Sequence, residues 1–233
     1  MEAQERHVAL ITGASRGLGL ALARALAERG WTLILDARDG AALERASRGF
    51  ARHTGVVALS GDVADAGHRA ALVAAVRAAG GLDLLVNNAS ALGPSPLPPL
   101  LAYPPDALAG VYQTNVIAPL ALLQEVAPAL KPGARVVNVS SDAAVEAYEG
   151  WGGYGSSKAS LDHLSRVLAV ENPGLRVYAV DPGDMRTQMH QEAFPGEDIS
   201  DRPPPEESVP GLLRLIEGDL PGGRYKAREI DRR

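Results

Sequence analysis

Short apolar runs alternate with longer stretches of helical period along most of the chain. The runs 7–12, 31–37, 56–63, 82–89, 134–141 and 175–183 are mostly unbroken in their apolar character, and they read as strands. The stretches 18–30, 64–81, 107–130 and 156–171 read as helices, with a more polar helix over 39–53. A continuous apolar run suits a strand covered on both faces. Alternation of strand and helix predicts a parallel sheet with right-handed crossovers. Six such units are too few for an eight-fold barrel. The expected fold is therefore α/β: a doubly wound parallel sheet in three α/β/α layers, with ligands beyond the carboxyl ends of the strands. Gly30 is placed to stop the first helix and Asp65 to cap the third, while Pro119 and Pro128 should kink or shorten the helix over 107–130. The proline-rich 90–106 must be a loop. The polar, proline-bearing 184–208 reads as a flexible flap over the substrate, with a plain disordered loop as the alternative. Nothing repeats and no boundary divides the chain, so one domain is expected over 1–233.

Composition narrows function more than fold. At 46% apolar residues, a chain of 233 has the balance of a globular protein and enough length to bury a core. The net charge of −5 is spread as both signs, which leaves no basic tract for a nucleic-acid groove. Cysteine is absent, so disulfides and thiolate metal sites are excluded, and no metal site is expected. The amino-terminal residues have no signal-peptide layout, and no apolar stretch reaches the roughly 18 residues that span a bilayer. A cytoplasmic protein without membrane or nucleic-acid partners is the expectation.

Two features carry candidate chemistry. The turn TGASRGLG (12–19) follows the first strand and opens the first helix, with Gly13, Gly17 and Gly19 permitting a tight turn and close approach of backbone. A helix start offers unpaired N–H groups and a positive dipole end, the physics of a pyrophosphate site. Its spacing is G-x-x-x-G-x-G, not the commoner G-x-G-x-x-G. The second feature is Tyr154 and Lys158, four apart and so on one face if both are helical. An ammonium beside a phenol favours the phenolate and would lower its pKa from about 10. Lysine is scarce, with only Lys131, Lys158 and Lys226 against twenty arginines, so a generic surface cation here would be arginine. The competing reading is a packed aromatic next to a solvated charge.

Together with NNAS (87–90), NVSS (138–141), YGSSK (154–158) and DPGDMRT (181–187), the glycine turn resembles the short-chain dehydrogenase/reductase family, from Ala9 to about Thr187. The resemblance implies a Rossmann-like sheet and an oxidoreductase moving hydride between a nicotinamide cofactor and a carbonyl or alcohol. It implies Tyr154 as general acid/base, Lys158 as the group that lowers its pKa and holds the nicotinamide ribose, and Ser141 as the residue orienting the substrate oxygen. Asn115 would steady a water on the proton path. Ser140 should face the other way and bond within the sheet. For the cofactor it implies Gly13, Ser15, Arg16, Gly17, Leu18 and Gly19 at the phosphates, and Asp62 with Val63 at the adenine. Asn88 and Ala89 would line the adenosine ribose, with Tyr154, Lys158, Pro182, Gly183 and Thr187 around the nicotinamide. Ser90 stands where the family has glycine. The carboxyl-terminal EGDLPGGRYKAREI departs from the family's TG…DGG strand, which leaves a seventh strand in GGRYKA open.

Cofactor choice rests on the end of the second strand. The family's discriminating acidic position falls on Ala37, followed by Arg38, and Arg16 adds a second cation. Both favour the 2′-phosphate of NADP(H). Asp36 would favour NAD(H) if the strand end shifted by one residue. The substrate pocket is expected from Ser90, Ala91, Leu92, Asp142, Ala143, Tyr148, Trp151, Asp184, Met185 and Met189, with His190 on the flap. Relatives imply a homodimer or homotetramer. The alternative function is a redox-sensing regulator that binds NADP(H) without turnover. A second rival, an epimerase or dehydratase, would need a longer carboxyl-terminal region.

Overall fold

The computed structural model describes residues 6–50 and 52–232, so residue 51 of the helix expected over 39–53 lies outside it. Seven parallel strands form one sheet: β1 (Val8–Ile11), β2 (Thr32–Ala37), β3 (Val56–Ser60), β4 (Leu82–Asn87), β5 (Leu130–Val139), β6 (Arg176–Asp181) and β7 (Gly223–Lys226). Their order is β3-β2-β1-β4-β5-β6-β7. The winding reverses between β1 and β4, where the carboxyl ends of two neighbouring strands leave a crevice.

Period-two burial divides the strands between two layers. Ala9, Ile11, Leu33 and Leu35 pack beneath α1 (Gly17–Glu28), α2 (Gly40–Phe50) and α8 (Val209–Glu217). Leu10, Ile34 and Leu85 pack beneath α3 (Ala66–Ala78) and α5 (Ala118–Val126) on the other face, where α6 (Gly152–Glu171) also lies. The three-layer expectation holds. β3 is the exception to two-sided cover: as the edge strand it leaves Val57 and Ala58 exposed.

Several boundaries differ from the sequence reading, and each moves a functional residue. β5 ends at Val139, so Ser140 and Ser141 lie past the strand in the turn that follows. α6 begins at Gly152, so Tyr154 and Lys158 are both helical. The helix expected over 107–130 is α4 (Pro105–Tyr112), a π-helical turn (Gln113–Ile117) and α5. Pro119 sits in the first turn of α5, where its missing N–H costs nothing, and the break falls one turn earlier at Asn115. Pro128 lies in the short 3₁₀ turn that ends the helix. The region 184–208 is built structure: α7 (Gln188–Ala193) is capped by the Thr187 hydroxyl, and Arg186 N–H donates to Pro203 O at 2.8 Å. The open question over GGRYKA resolves as β7, parallel to β6. Among the described residues no helix is long and apolar enough to cross a membrane.

Candidate active site

Close packing shapes the glycine turn. Gly13 takes φ +65, and a Cβ there would meet Ala89 Cα and Asn88 Nδ2 at 2.9 Å. At Gly19 a Cβ would fall 2.5 Å from both Asn88 Nδ2 and Gly13 O. The Asn88 side-chain amide donates to the Thr12 and Gly13 carbonyls at 2.9 and 3.0 Å. The Thr12 hydroxyl accepts from the N–H groups of Asn88 and Ala89, both at 3.0 Å. This staple fixes β1 to β4 at the crevice. Asn88 therefore acts on the turn as well as lining the cleft, and Thr12, which sequence reasoning passed over, shares that task.

The turn opens onto a cleft of about 780 Å³ lined by Gly13, Arg16, Gly17, Leu18, Arg38, Asn88, Ser90, Lys158, Pro182 and Thr187, among others. α1 starts without a side-chain cap, so its first-turn amides keep room for an anion. Arg16 is held by Gln188 of α7 through a short side-chain hydrogen bond. Arg186, not anticipated from the sequence, brings a third guanidinium to the cleft. A dinucleotide carrying phosphates fits this donor set.

Asp36 is turned away. Its Oδ1 lies 2.6 Å from His68 Nε2, with the two side chains 2% and 10% exposed. Its carboxylate also accepts from the Gly13 N–H, while burial pushes its pKa up against those partners. Asp36 is thus a buried strut between α3 and the glycine turn, and Arg38, just past the end of β2, is what this segment offers the cleft. His68 was invisible as its partner because the contact spans separate elements.

Other expected cofactor residues lie elsewhere. Ser15 lies against α2 on the far side of the turn. Asp62 accepts from the Ala64 N–H at 2.9 Å, and neither it nor Val63 lines this cleft. Gly183 borders the neighbouring cavity instead.

That cavity, of about 440 Å³, adjoins the cleft at Tyr154, which lines both. Its walls include Leu92, Ser141, Asp142, Ala143, Tyr148, Trp151, Asp184, Met185 and Met189, as expected, plus Phe194 and Asp181, which were missed. Ser90 and Ala91 fall on the cleft side. Trp151 stacks edge-on against Tyr154 at 5.7 Å between ring centroids.

The expected lowering of the phenol is reversed. Tyr154 is only 8% exposed. Burial pushes its pKa up; the charges of Asp142 and Asp181 add to this, and hydrogen bonds with Ser90 and Ser141 oppose it only in part. Lys158 is 2% exposed. Its Nζ donates to Val139 O at 2.7 Å and stands 5.5 Å from the Tyr154 ring centroid. Burial brings its own pKa down to about 8, against the pull of Asp162. In a shared apolar setting, desolvation outweighs the attraction that four-residue spacing brings.

The Asn115 side chain is engaged at both ends. Its Oδ1 accepts from the Ala91 N–H at 2.7 Å and the Ser90 hydroxyl at 3.1 Å, and its Nδ2 donates to Ala91 O and Ser157 Oγ. The side chain holds the 90–91 turn with both its oxygen and its amide nitrogen. The Ser141 hydroxyl donates to Asp142 Oδ1 at 2.9 Å. Ser140, expected to bond within the sheet, has a buried hydroxyl with no partner among the described residues.

β7 contributes Arg224, which nothing in the sequence marked. It donates to Asp162 Oδ2 at 2.8 Å and to Ser141 O at 2.9 Å, and lies 3.9 Å from Asp181. One guanidinium thereby ties the helix bearing Tyr154 and Lys158 to the Ser141 turn and the end of β6. Among the described residues no cluster of histidine and carboxylate is placed to hold a metal ion.

Sheet order, glycine turn and double cavity define a dinucleotide-binding α/β protein. The chain belongs to the short chain dehydrogenase family, whose model matches residues 7–198. It is 35% identical to the sepiapterin reductase of Meriones unguiculatus over 201 residues, 80% of this chain and 77% of that one. It is also similar to a short chain dehydrogenase of Shigella flexneri solved with NADP, at TM-score 0.88 and 29% identity, covering 95% of this chain and 97% of that one. A third relative, a short chain dehydrogenase of Escherichia coli solved with NADPH, gives TM-score 0.86 and 29% identity over 95% and 96%.

Replacing Arg224 by methionine strands the largely buried Asp162 carboxylate. The Arg224→Met protein is expected to lose about 2–3 kcal/mol of stability, seen as a Tm lower by about 5–10 °C in a thermal melt. An unchanged Tm would remove this tie from the account.

Proposed function

We propose that the protein is an NADP(H)-dependent oxidoreductase acting on a carbonyl or alcohol, with Tyr154 as general acid/base. The observation that carries the reading is that Tyr154 lines both the cofactor-sized cleft and the adjoining cavity. A proton donor shared by the two walls suits a reaction between one group in each. When bound, the cofactor supplies or accepts hydride.

The chain's own residues do the rest. The first-turn amides of α1 and Arg16 would hold the phosphates, Arg38 the 2′-phosphate, and Lys158 the ribose beside the nicotinamide. Tyr154 is a phenol at neutral pH, and burial keeps it so by pushing its pKa up further. That form can donate to a carbonyl oxygen as negative charge grows there. The Ser141 hydroxyl would exchange its Asp142 acceptor for the same oxygen. Arg224, through Ser141 O and Asp162, and Asn115, through the 90–91 turn, position this machinery.

Three measurements test the reading. Tyr154→Phe should lose about 10²–10⁴-fold in kcat with NADPH affinity changed little; turnover equal to the parent across a broad carbonyl panel would favour the regulator instead. Arg38→Ala should raise the KM for NADPH at least about tenfold and leave that for NADH nearly unchanged; a parent KM lower for NADH than for NADPH would overturn the cofactor choice. An anionic cofactor beside Lys158 raises the lysine's pKa, so the complex binds more protons than the free protein. NADPH affinity is then expected to fall as pH rises above about 8, the pKa of Lys158, by up to about tenfold per pH unit. Titration calorimetry would show the same fall, and a flat profile in Lys158→Met. A parent profile that is flat from pH 7 to about 10 would exclude Lys158 as the linked group.

A further inference from the structure

We propose that the cavity beside Tyr154 admits uncharged or cationic aromatic carbonyl compounds and excludes carboxylates, with Asp142 as the residue that makes the choice. The inference rests on the function proposed above and specifies its substrate class.

The apolar wall is aromatic. Trp151 faces Tyr154 and Phe194, with the Phe194 centroid at 5.9 Å, and His190 stacks on Phe194 at 4.9 Å. Met185, Met189 and Leu92 complete it. Flat ring faces and thioethers suit a planar apolar body.

The charge in the wall is negative and uneven. Of the lining residues none is lysine or arginine, and three are aspartates. Asp184 faces Arg202 at 3.7 Å and Asp181 faces Arg224 at 3.9 Å. Asp142 makes no ion pair among the described residues. Its partners are hydroxyls and an amide: Tyr148 Oη at 3.0 Å, Ser141 Oγ at 2.9 Å and Ala143 N at 2.8 Å. Those donors hold the carboxylate in place without neutralising it. The field reaches across the cavity: burial pushes Tyr154 and Asp181 up first, and repulsion from Asp142 adds to both, while Tyr148 is raised by its bond to Asp142 and by that same charge. A second anion in this partly enclosed space meets the same repulsion, and a cation is attracted.

A separate observation points to a ligand. Ser140 lines both the cavity and the cleft, is 2% exposed, and its hydroxyl has no partner among the described residues. A buried hydroxyl left unpaired is costly, and a polar atom of a bound molecule would satisfy it. The aromatic wall, the fixed carboxylate and this hydroxyl together describe a cavity for a flat carbonyl compound without an acid group.

Three probes share one ring and one reacting ketone and differ only in remote charge: 4-acetylbenzoate, its methyl ester, and (4-acetylphenyl)trimethylammonium. Their affinity for the NADP⁺-loaded protein is read by quenching of tryptophan fluorescence, which needs no turnover. The cation and ester should each bind at least about tenfold more tightly than the carboxylate. Asp142→Asn, of the same size, should narrow the cation-to-anion ratio by about tenfold, with NADPH binding as the check that the variant is folded. Equal or tighter binding of the carboxylate by the parent, no binding of any probe, or an unchanged ratio in a folded variant would each overturn the proposal. NADPH oxidation with the same probes answers a different question: charge-selective binding without turnover of any carbonyl leaves the selection standing and removes the reductase reading.

Discussion

The buried ammonium of Lys158 is the constraint on which the site depends. An isolated cation inside a protein is expensive unless its donors are met. Here the Val139 carbonyl at the end of β5 meets one of them, and Asp162, one turn along α6, supplies the opposing charge. That arrangement pins α6 to the carboxyl end of β5, one strand beyond the β1–β4 crevice. It leaves the remaining Nζ donors facing the cleft wall and keeps Tyr154, one turn earlier, at the junction of cleft and cavity. Arg224 extends the network by holding Asp162 from the far edge of the sheet.

A second constraint is steric. The glycine turn and the 88–91 turn approach so closely that no Cβ fits at Gly13 or Gly19 without displacing Asn88. The space saved is what opens the helix start to a ligand. Asn88, Thr12 and Asn115 spend their polar groups holding these turns, and Asp36 with His68 braces them from below. Preorganisation of this kind removes from the binding event the cost of ordering the loops.

How far the residues themselves spoke can be judged element by element. The alternation of apolar runs located six strands, because a strand covered on both faces has little choice of composition. The seventh was legible only as a doubt, since β7 is short and half-exposed. The edge strand β3 showed the same apolar run as its covered neighbours, and only the sheet order revealed its open side. Glycine spacing after β1 and the Tyr154–Lys158 interval marked the two halves of the site, because both signals are local. His68, Arg186, Phe194 and Arg224 were not legible: each reaches the site from an element remote in the chain, and no spacing rule links them.

Features that act over a few residues were thus settled by the amino-acid order alone: an α/β alternation, a glycine turn that admits an anion, and a phenol four residues before an ammonium; that both lie on one helical face came from the early start of α6. Whether that ammonium lowers the phenol's pKa, which aspartate meets the cofactor and which is hidden, and what charge the cavity carries were decided by folding. These depend on desolvation and on partners brought together across β2, α3, β5 and β7, and both are properties of the packed interior, not of any single segment.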